Sequence, residues 1–355
     1  VLFRSDGAQA FNDDPNRAAD AKRSLIISEC DCCGLVQSLT PAVPYFRQAI
    51  TAAGLSAGMR LHRKQQFSAF VSAHSLSGKR VLEVGCGKGD MLPILRSAGV
   101  IPVGLEHRGA RTPQGEGGCA ILDGYPEGTL ALPGAPYDAF VCLNFLEHAR
   151  LPRDFLGSLR VSLVPGGVGL LEVPNYLRQR ALGRAFDYVA DHLSYFTPST
   201  LRLAVELSGF EVSHLSETRD GENIEAWVGL RIPHNLEEDK ERIESSRHAL
   251  AELLRDKGAG VVVWGASHQA LTLLSGLPSR AVRAIIDSAP FKHGKYAPGS
   301  GVPVIPPTPA AIDQVEHVII IASGYEKEIA TTLRQDLGFQ GTIWTFDRGL
   351  IRCHD

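Results

Sequence analysis

The sequence has little of what binding to nucleic acid or to a membrane requires. Its 355 residues carry a formal net charge of -3 and its pI is near 6.5, so no overall basic field is present to hold nucleic acid or anionic lipid. No apolar run approaches the roughly 18 residues that a membrane span needs. The first residues, VLFRSDGAQAFNDD, lack the apolar core of a signal peptide. We therefore expect a cytoplasmic protein that acts on a small molecule.

Cysteine is also sparse, with 7 in the chain. Small buried thiols best explain the four isolated ones, which are Cys86, Cys119, Cys142 and Cys353. Only Cys30, Cys32 and Cys33 cluster, so any metal site built on cysteine must lie near the start of the chain.

Hydrophobic patterning divides the chain into three predicted parts, residues 1–78, 79–234 and 235–355. From Lys79 onward, apolar runs alternate with stretches of helical spacing, which predicts a parallel α/β sheet. The runs are KRVLEVG, IPVGLEH, YDAFVCLN and GGVGLLEVP. FEVSHLSET and NIEAWVGLRI, separated by the turn RDGE, predict an antiparallel strand pair that closes this sheet.

The flanking parts have patterns of their own. Pro44 to Ser75 has helical spacing. A charged helix is predicted to begin after Asn235, which can cap it with Glu238 as the capping-box partner. Four further apolar runs, VVVWG, AVRAIID, VEHVIIIAS and GTIWTF, predict a second and smaller α/β domain.

The strongest local signal is VLEVGCGKGD. A strand ends at Glu83, and Gly85, Gly87 and Gly89 alternate after it. Glycine lets the backbone turn sharply and lets a ligand approach closely, and ligands of open parallel sheets bind at this edge. A dinucleotide loop needs G-x-G-x-x-G, but the third glycine would fall at Asp90. Gly-x-Gly-x-Gly after an acid instead resembles motif I of the class I S-adenosylmethionine (SAM) methyltransferases.

This resemblance implies a SAM site. SAM carries a cationic sulfonium and an ammonium but no phosphate, which suits an acid such as Glu83. The family uses an acid after the second strand for the ribose, an acid on the adenine side, and a segment after the fourth strand. The residues implied as cofactor-binding are Glu83, Gly85, Cys86, Gly87, Gly89, Glu106, Asp123 and Asn144.

Three stretches together resemble a narrower family, the three-part sugar C-methyltransferases of deoxysugar biosynthesis. They are CDCCGLVQ, VLEVGCGKGD, and WGASHQALTLL with IIDSAPFKHGKYAPGSGVPVIPP. The resemblance implies an α/β fold with a Rossmann-like methyltransferase core and a smaller Rossmann-like C-terminal domain. It also implies that the N-terminal part is the remnant of a zinc-binding module.

The predicted zinc module is only half present. Cys30 and Cys33 form one CxxC pair, but a structural zinc commonly takes two, and no Cys or His precedes Cys30. The nearest downstream histidine, His62, lies in a predicted helix. Leu2 to Ser5 matches the translated end of a common sequencing adapter, so we hypothesise that an assembly artefact replaces the first pair. Zinc is expected only if those missing ligands exist.

The segment DHLSYFT holds the predicted catalytic base. Methylation of a carbon beside a ketone requires removal of a C–H proton, for which histidine suits neutral pH. Sugar C-methyltransferases supply the base from His-Glu-His-x-Ser-Tyr-Phe, and residues 190–196 here are Ala-Asp-His-Leu-Ser-Tyr-Phe. The match implies His192 as base with Asp191 beside it. Ala190 replaces the first histidine, so carbon is not the only acceptor atom to consider.

Each of these assignments has a structural alternative. His192 at a helix start can instead hydrogen-bond a carbonyl group, and Tyr195 either orients the substrate or packs beside Phe196. His148, in NFLEH, is a second candidate for the base near the methyl donor.

The C-terminal domain is expected to hold the nucleotide part of an activated sugar. Ser267 opens a helix, which provides an anion site, and Lys292 and Lys295 can approach a diphosphate. Tyr296 belongs to the same loop, and all four are predicted substrate-binding residues. The alternative is that the two lysines belong to a solvated loop.

The sequence thus predicts a SAM-dependent methyltransferase that acts on a sugar, with a nucleotide-linked sugar as the expected substrate. An O- or N-methyltransferase acting on a carbohydrate or another small metabolite remains open. A nicotinamide-dependent oxidoreductase and an inactive binding module are alternatives of other classes, and the absence of G-x-G-x-x-G in both loops counts against the former.

Overall fold

The computed structural model describes residues 2–5, 23–47, 55–107, 118–257, 260–277, 282–347 and 350–354. The chain divides into two compact units, residues 1–232 and 233–355. Each unit is built on a sheet whose central strands are parallel.

The secondary structure alternates between strands and helices in both units. The helices are α1 (Ala57–Ala73), α2 (Leu92–Ser97), α3 (Pro152–Val161), α4 (Tyr176–Ala181), α5 (Pro198–Leu207), α6 (Leu236–Lys257), α7 (His268–Leu274) and α8 (Glu326–Thr331). The strands of the first unit are β1 (Leu2–Ser5), β2 (Arg23–Glu29), β3 (Val36–Ser38), β4 (Arg80–Val84), β5 (Ile101–Glu106), β6 (Ala120–Asp123), β7 (Tyr137–Leu143), β8 (Leu163–Pro174), β9 (Ser194–Tyr195), β10 (Phe210–Thr218) and β11 (Asn223–Leu230). Those of the second are β12 (Val261–Trp264), β13 (Ile285–Ile286), β14 (Val304–Ile305), β15 (His317–Ile320), β16 (Thr342–Asp347) and β17 (Leu350–His354).

The central sheet of the first unit has the order β10-β11-β8-β7-β4-β5-β6. Strands β6, β5, β4, β7 and β8 are parallel, and β11 and β10 add to β8 as the predicted antiparallel pair. The α/β fold class is thereby confirmed. From β4 the chain moves outward to β5 and β6 and then returns to the other side of β4 at β7. Ligands of open α/β sheets bind at the carboxyl ends of the strands at such a reversal.

Apolar side chains cover both faces of this sheet, because its parallel strands are buried on both sides. On one face, Phe67 and Phe70 of α1 and Leu92 of α2 pack against Val81 and Leu170. On the other, buried residues of α3 and α5 pack against β7 and β8, including Phe155, Leu159, Leu201, Val205, Phe140 and Leu171. The two layers fix the sheet edge that carries the glycine loop.

A small sheet of order β1-β2-β3-β9 joins the start of the chain to the DHLSYFT segment. Val36 of β3 lies opposite Tyr195 of β9. Leu25, Ile27 and Val36 form an apolar cluster with Ala190 and Tyr195. The N-terminal strands therefore pack directly on the segment that carries the predicted base.

The helical stretch predicted from Pro44 to Ser75 is wrong at its start. Residues 44–47 form a turn, residues 48–54 are outside the described part of the chain, and α1 begins after Ser56, whose hydroxyl accepts a hydrogen bond from the backbone N–H of Met59 at 3.2 Å. A serine N-cap stabilises a helix start at this point.

The second unit has a sheet of order β14-β13-β12-β15-β16-β17, parallel except for the β16–β17 pair. Helix α6 begins at Leu236, and the side chain of Asn235 accepts a hydrogen bond from the N–H of Glu238 at 3.3 Å, as the predicted cap requires. Leu250 and Leu254 of α6 pack with Val263 and Ile319.

Among the residues that the structure describes, none of the helices combines the length and the apolar character needed to cross a bilayer.

Candidate functional site

The glycine loop follows β4 at the reversal point of the central sheet. Gly85, Gly87 and Gly89 have φ values of 70°, 54° and 89°, a region that favours glycine. A Cβ at Gly85 would lie 2.5 Å from the ring of Phe145. The alternating glycines are therefore required by backbone conformation and, at Gly85, also by space. The side chain of Cys86 is buried in the apolar core, and its thiol lies 3.9 Å from the carbonyl oxygen of Gly87.

Glu83 is the most unusual charged group at this edge. It is 5% exposed, and its Oε2 is buried and has no hydrogen-bond partner within the described residues. Burial raises the pKa of Glu83 to about 8; Asp90 and Glu106 add to this rise, whereas Arg63 opposes it. A buried carboxyl that lacks a partner is destabilising. A cationic group placed beside it would remove that cost.

The other predicted acids end the next two strands. Glu106 is the last residue of β5, is buried, and accepts a hydrogen bond from the N–H of Gly87 at 2.9 Å. Asp123 is the last residue of β6 and lies opposite Glu106 in the strand register. The fold thus brings Glu83, Glu106 and Asp123 to the carboxyl ends of three adjacent strands.

Asn144 follows β7 and is held tightly. Its φ is 46°, and its N–H donates to the carbonyl of Glu172 at 2.7 Å. Its side-chain amide donates to the carboxylate of Glu172 at 3.2 Å and accepts from Asn223 at 2.8 Å. Two neighbouring strands therefore orient Asn144 toward the sheet edge.

Sequence reasoning missed the buried polar network behind Asn144. Arg63 of α1 makes two hydrogen bonds to Glu172 at 2.6 and 2.7 Å, and Gln66 donates to Glu172 and to Glu225 at 2.9 and 2.6 Å. Burial opposes ionisation of Glu172, but Arg63 outweighs it and lowers the pKa of Glu172. The polar Arg63 and Gln66 on an otherwise apolar helix face were the available signal. Their partners lie over 100 positions away.

His192 lies in a cluster with His148 and Glu147. The His148 and His192 ring centroids are 5.0 Å apart. Nδ1 of His148 is 2.9 Å from the carbonyl oxygen of Asp191. Because a carbonyl oxygen only accepts, Nδ1 donates, and Nε2 of the neutral ring is left as an acceptor. Asp191 thus orients His148 through its backbone, and its own side chain is buried.

Burial makes both imidazoles neutral. It lowers the pKa of His192 to about 3, with His148 adding to the effect, and it lowers the pKa of His148 against the opposing hydrogen bond to Asp191. Burial also raises the pKa of Glu147 to about 8, and Oε2 of Glu147 is buried without a hydrogen-bond partner among the described residues. The two neutral imidazoles can each accept a proton, and the protonated carboxyl of Glu147 already holds one.

The same three side chains each offer one atom within 4.8 Å of the others. Two imidazoles and a carboxylate are also a donor set that a divalent transition metal accepts. Glu147 was not named as a site residue from the sequence, although it precedes His148 in NFLEH.

Tyr195 is buried within a group of tyrosines. Its ring centroid lies 5.7 Å from that of Tyr176, 5.2 Å from that of Tyr188 and 6.2 Å from that of His192. Its hydroxyl donates to the carbonyl of Val189 at 3.4 Å. Tyr195 therefore supports His192 by packing.

One of the predicted substrate-binding residues of the second unit, Lys292, is already hydrogen-bonded to other residues of the chain. Lys292 donates to the carboxylate of Asp287 at 2.9 Å and to the carbonyl of Ala266 at 3.0 Å. Ser267 precedes the seven-residue helix α7 and makes no side-chain cap. Lys295 and Tyr296 lie in an exposed loop.

Cys30 and Cys33 lie in the exposed turn between β2 and β3. The backbone N–H groups of Cys33 and Cys32 point at the thiol of Cys30 and lower its pKa. Such a turn suits a thiolate. However, among the described residues no further His, Cys, Asp or Glu completes a group of three with this pair, so a four-ligand zinc site is not assembled there.

Comparison with known proteins decides between the classes. Residues 59–215 match the family described as a methyltransferase domain, and residues 206–346 match the C-methyltransferase C-terminal domain. The chain is similar to C-methyltransferase NovU of Streptomyces niveus, with 26% identity over 289 residues that cover 71% of this chain and 68% of that protein. The chain is a class I SAM-dependent methyltransferase.

This methyltransferase is also similar to a ubiquinone biosynthesis O-methyltransferase of Actinobacillus pleuropneumoniae serotype 5b, with 29% identity over 107 residues, 27% of this chain and 46% of that protein. Among solved structures, it is similar to magnesium protoporphyrin IX methyltransferase from Synechocystis PCC 6803 with bound SAH. That match has a TM-score of 0.38 and 16% identity, and it covers 51% of this chain and 90% of that chain.

SAM is the cofactor, and the residues at the sheet edge fit it. The unpartnered buried carboxyl of Glu83 is the group in this site that a cationic ligand would satisfy.

Proposed function

We propose that this methyltransferase transfers the methyl group of SAM to a carbon atom beside the ketone of a nucleotide-linked sugar, with His192 as the base. The observation that supports it is the cluster of His192, His148 and Glu147, whose first member lies three residues after Asn144 at the reversal edge. The matched C-methyltransferase C-terminal domain favours carbon as the acceptor.

The donor side of the site is assigned to the three acids. SAM supplies an electrophilic methyl group on a sulfonium, which is already a good leaving group. Glu83 faces the positive charge, Glu106 and Asp123 accept hydroxyl hydrogen bonds, and Asn144 completes the wall. The task left to the protein is to position the acceptor and to generate the nucleophile.

His192 generates the nucleophile. Burial keeps the His192 ring unprotonated at physiological pH by lowering its pKa, which also makes the ring a weaker base, so the ketone of the bound sugar must supply the acidity of the C–H bond. The C–H proton moves to the imidazole, and its electron pair passes to the neighbouring carbonyl as an enolate. The enolate carbon would then bond to the methyl group as the bond between methyl and sulfonium breaks and the demethylated donor leaves as a neutral thioether. The imidazolium then returns its proton to solvent. His148 lies beside His192 and, because its ring is neutral, adds no positive charge that would oppose this step.

O-methylation would use the same residues, but the acceptor atom would be a hydroxyl oxygen instead of a carbon. Ala190 stands where the related segment has its first histidine, and the similar ubiquinone biosynthesis enzyme is an O-methyltransferase. A base can deprotonate a hydroxyl as well as a C–H bond. NMR of the product separates these outcomes, because a C–CH3 group and an O–CH3 group resonate far apart.

The test is the variant His192→Ala. We expect loss of turnover by about 10²- to 10⁴-fold, the usual contribution of a general base, with SAM affinity unchanged. Methyl gain is measured by mass spectrometry on keto nucleotide sugars and SAM affinity by calorimetry. His248→Ala, which alters an exposed histidine on α6, is the matched control.

Two further measurements isolate the base from other roles of the cluster. With the demethylated donor bound, the wild type should exchange the acidic C–H of the sugar in D2O, and His192→Ala should not. EDTA would remove a metal held by the cluster. Because the proposed base needs no metal, activity should survive EDTA treatment. Wild-type rates in His192→Ala would rule out the base assignment.

A further inference from the structure

A second pocket opens beside the tyrosine group, on the segment between β8 and α5. It has a volume of about 220 Å³, and its walls include Tyr176, Gln179, Arg180, Arg184, Asp187 and Tyr188. Sites for whole small-molecule ligands usually measure about 300–1,000 Å³. This pocket therefore takes one part of a larger ligand, of the size of a single ring system.

The pocket is connected to the predicted base through ring contacts. Tyr188 and Tyr176 line it, and both contact Tyr195, which in turn contacts His192. The pocket thus lies one layer of tyrosine rings away from His192, and a ligand that occupied both places would need two parts joined by a linker. A nucleotide sugar has this form, with a diphosphate and a ribose between the sugar and the base.

The pocket offers flat surfaces. Tyr176 and Tyr188 have ring centroids 6.2 Å apart and their hydroxyls are 2.9 Å apart. The guanidinium of Arg180 lies 5.8 Å from the ring centroid of Tyr176. Aromatic faces and a guanidinium plane are the surfaces on which nucleobases stack.

The pocket also contains an acceptor that lacks a donor. Oδ2 of Asp187 is buried and has no hydrogen-bond partner within the described residues. The neighbouring Arg184 is bound instead by Glu222, with two hydrogen bonds at 2.6 and 3.0 Å. A buried acceptor without a donor is costly, and an ionised carboxylate can only accept. The missing ligand group is therefore an N–H or O–H.

We infer that this pocket binds the nucleobase of a nucleotide-linked substrate, which donates a ring N–H to Asp187 and stacks on the tyrosine and Arg180 surfaces. The inference rests on the proposed function for the identity of the remaining part of the substrate. It places the base in the first unit, separate from Lys292, which is already paired with Asp287.

Binding of nucleoside diphosphates to the full chain tests this inference. Uracil, thymine and guanine carry a hydrogen on the ring nitrogen of their pairing edge, whereas cytosine and adenine do not. We expect UDP, dTDP or GDP to bind at least about tenfold more tightly than CDP and ADP, the value of one hydrogen bond to a charged group. Calorimetry with each diphosphate measures this preference.

Two variants test whether the pocket is the source of the preference among nucleoside diphosphates. Asp187→Asn should abolish the preference, because an amide can donate as well as accept. Arg180→Ala should weaken all the diphosphates alike. Asp239→Asn, an exposed acid on α6, is the control and should change nothing. SAM affinity, measured on the same preparations, reports whether each variant is folded.

The outcomes separate this inference from the proposed function. Diphosphate binding that is absent in the wild type, or that keeps its order in both pocket variants, overturns the inference. Methyl gain on a keto nucleotide sugar with an unchanged KM in Asp187→Asn overturns it too, yet leaves the proposed function standing. A preference that Asp187→Asn removes supports the pocket, even if no sugar is methylated.

Discussion

In both α/β units a glycine turn follows one parallel strand and an acid lies at the end of the next. The units differ in how the acidic side chains near that turn are paired. In the first unit Glu106, at the end of β5, accepts a hydrogen bond from the glycine-loop N–H of Gly87 at 2.9 Å. In the second, Asp287 follows β13 and accepts one from the N–H of Ala266 at 2.7 Å. An acid after the second strand therefore anchors the first loop in both.

Beyond that bond the units diverge. Asp287 also binds Lys292 and the N–H of Ala289; burial opposes its ionisation, but these bonds prevail and lower the pKa of Asp287. In the first unit, Glu83 lies two residues before the first glycine and has a buried oxygen without a hydrogen-bond partner in the described part of the chain. Val263, fully buried, holds the matching position in the second unit.

A glycine turn followed by an acid thus occurs in both units with different pairing. In the second unit Asp287 is paired with Lys292, whereas in the first Glu83 keeps a buried oxygen that has no hydrogen-bond partner among the described residues. A polar group that costs stability in the empty protein is a mark of function.

The largest expected effect comes from making the first unit resemble the second. Glu83→Val should weaken SAM binding by about 100-fold or more, since a desolvated charge pair is lost. The empty protein should keep or gain stability, because an unpartnered buried carboxyl is removed. Calorimetry and thermal unfolding measure the two quantities. Asp287→Asn, the control in the second unit, should leave SAM affinity as it is. Equal SAM affinity in Glu83→Val and wild type would show that the buried carboxyl of Glu83 does not bind the cationic donor.

The next effect comes from the first glycine of each loop. Gly85 and Gly265 have φ values of 70° and 112°, and an added Cβ would lie 2.5 Å from the Phe145 ring or 2.6 Å from the carbonyl oxygen of Ile321. Alanine at either position should lower the free energy of unfolding by about 1–3 kcal/mol. Only Gly85→Ala should also weaken SAM binding. Loss of SAM binding in Gly265→Ala would contradict the assignment of SAM to the first unit.

The pH dependence of SAM binding gives a smaller but more specific effect. The pKa of Glu83 is about 8 in the empty protein, and Arg63, Asp90 and Glu106 are the charges that act on it. A cationic ligand prefers the carboxylate, so SAM affinity should rise with pH up to about 8, by at most about tenfold per pH unit, with release of a proton. Calorimetry in buffers of different ionisation enthalpy detects that proton.

The same raised pKa affects the empty protein in the opposite direction. The folded state holds the Glu83 proton more tightly than the unfolded state, whose pKa is near the ordinary value of 4.5. Its contribution to stability is therefore present below pH 4.5 and is lost as the pH rises toward 8. Glu83→Gln should remove this component both from stability and from SAM binding. An unchanged pH profile in that variant would assign the titration to another group.

The smallest expected effect concerns the pair in the second unit. Lys292→Met should lower stability by about 1 kcal/mol or less, because the Asp287–Lys292 pair is partly exposed and Asp287 keeps two backbone N–H donors. Nucleotide affinity should not change. If Lys292→Met instead weakens nucleoside diphosphates more than Arg180→Ala does, the nucleotide belongs to the second unit, as the sequence pattern alone suggested.

Most of the secondary structure could be predicted because the positions of strands and helices depend on short sequence patterns. Short apolar runs, glycines and polar turns specify strands and their ends, and β4, β5, β7, β10 and β11 all lie within the runs predicted for them, whereas β8 begins three residues before its predicted run. The cap of α6 at Asn235 depends only on a residue and its neighbour three positions away. The start of α1 was mispredicted, because helical spacing does not by itself locate the residue that caps a helix.

The sequence by itself determined the succession of strands along the chain, the glycine loop, the acids that follow it and the histidine of DHLSYFT, since each depends on neighbours along the chain. Only the tertiary structure decided that Oε2 of Glu83 has no hydrogen-bond partner among the residues described, that Arg63 reaches Glu172 across 109 positions, and that His148 and Glu147 join His192. The reason is that burial and pairing depend on which distant side chains meet. A carboxyl group has the same letter in the sequence whether it is free, paired or protonated.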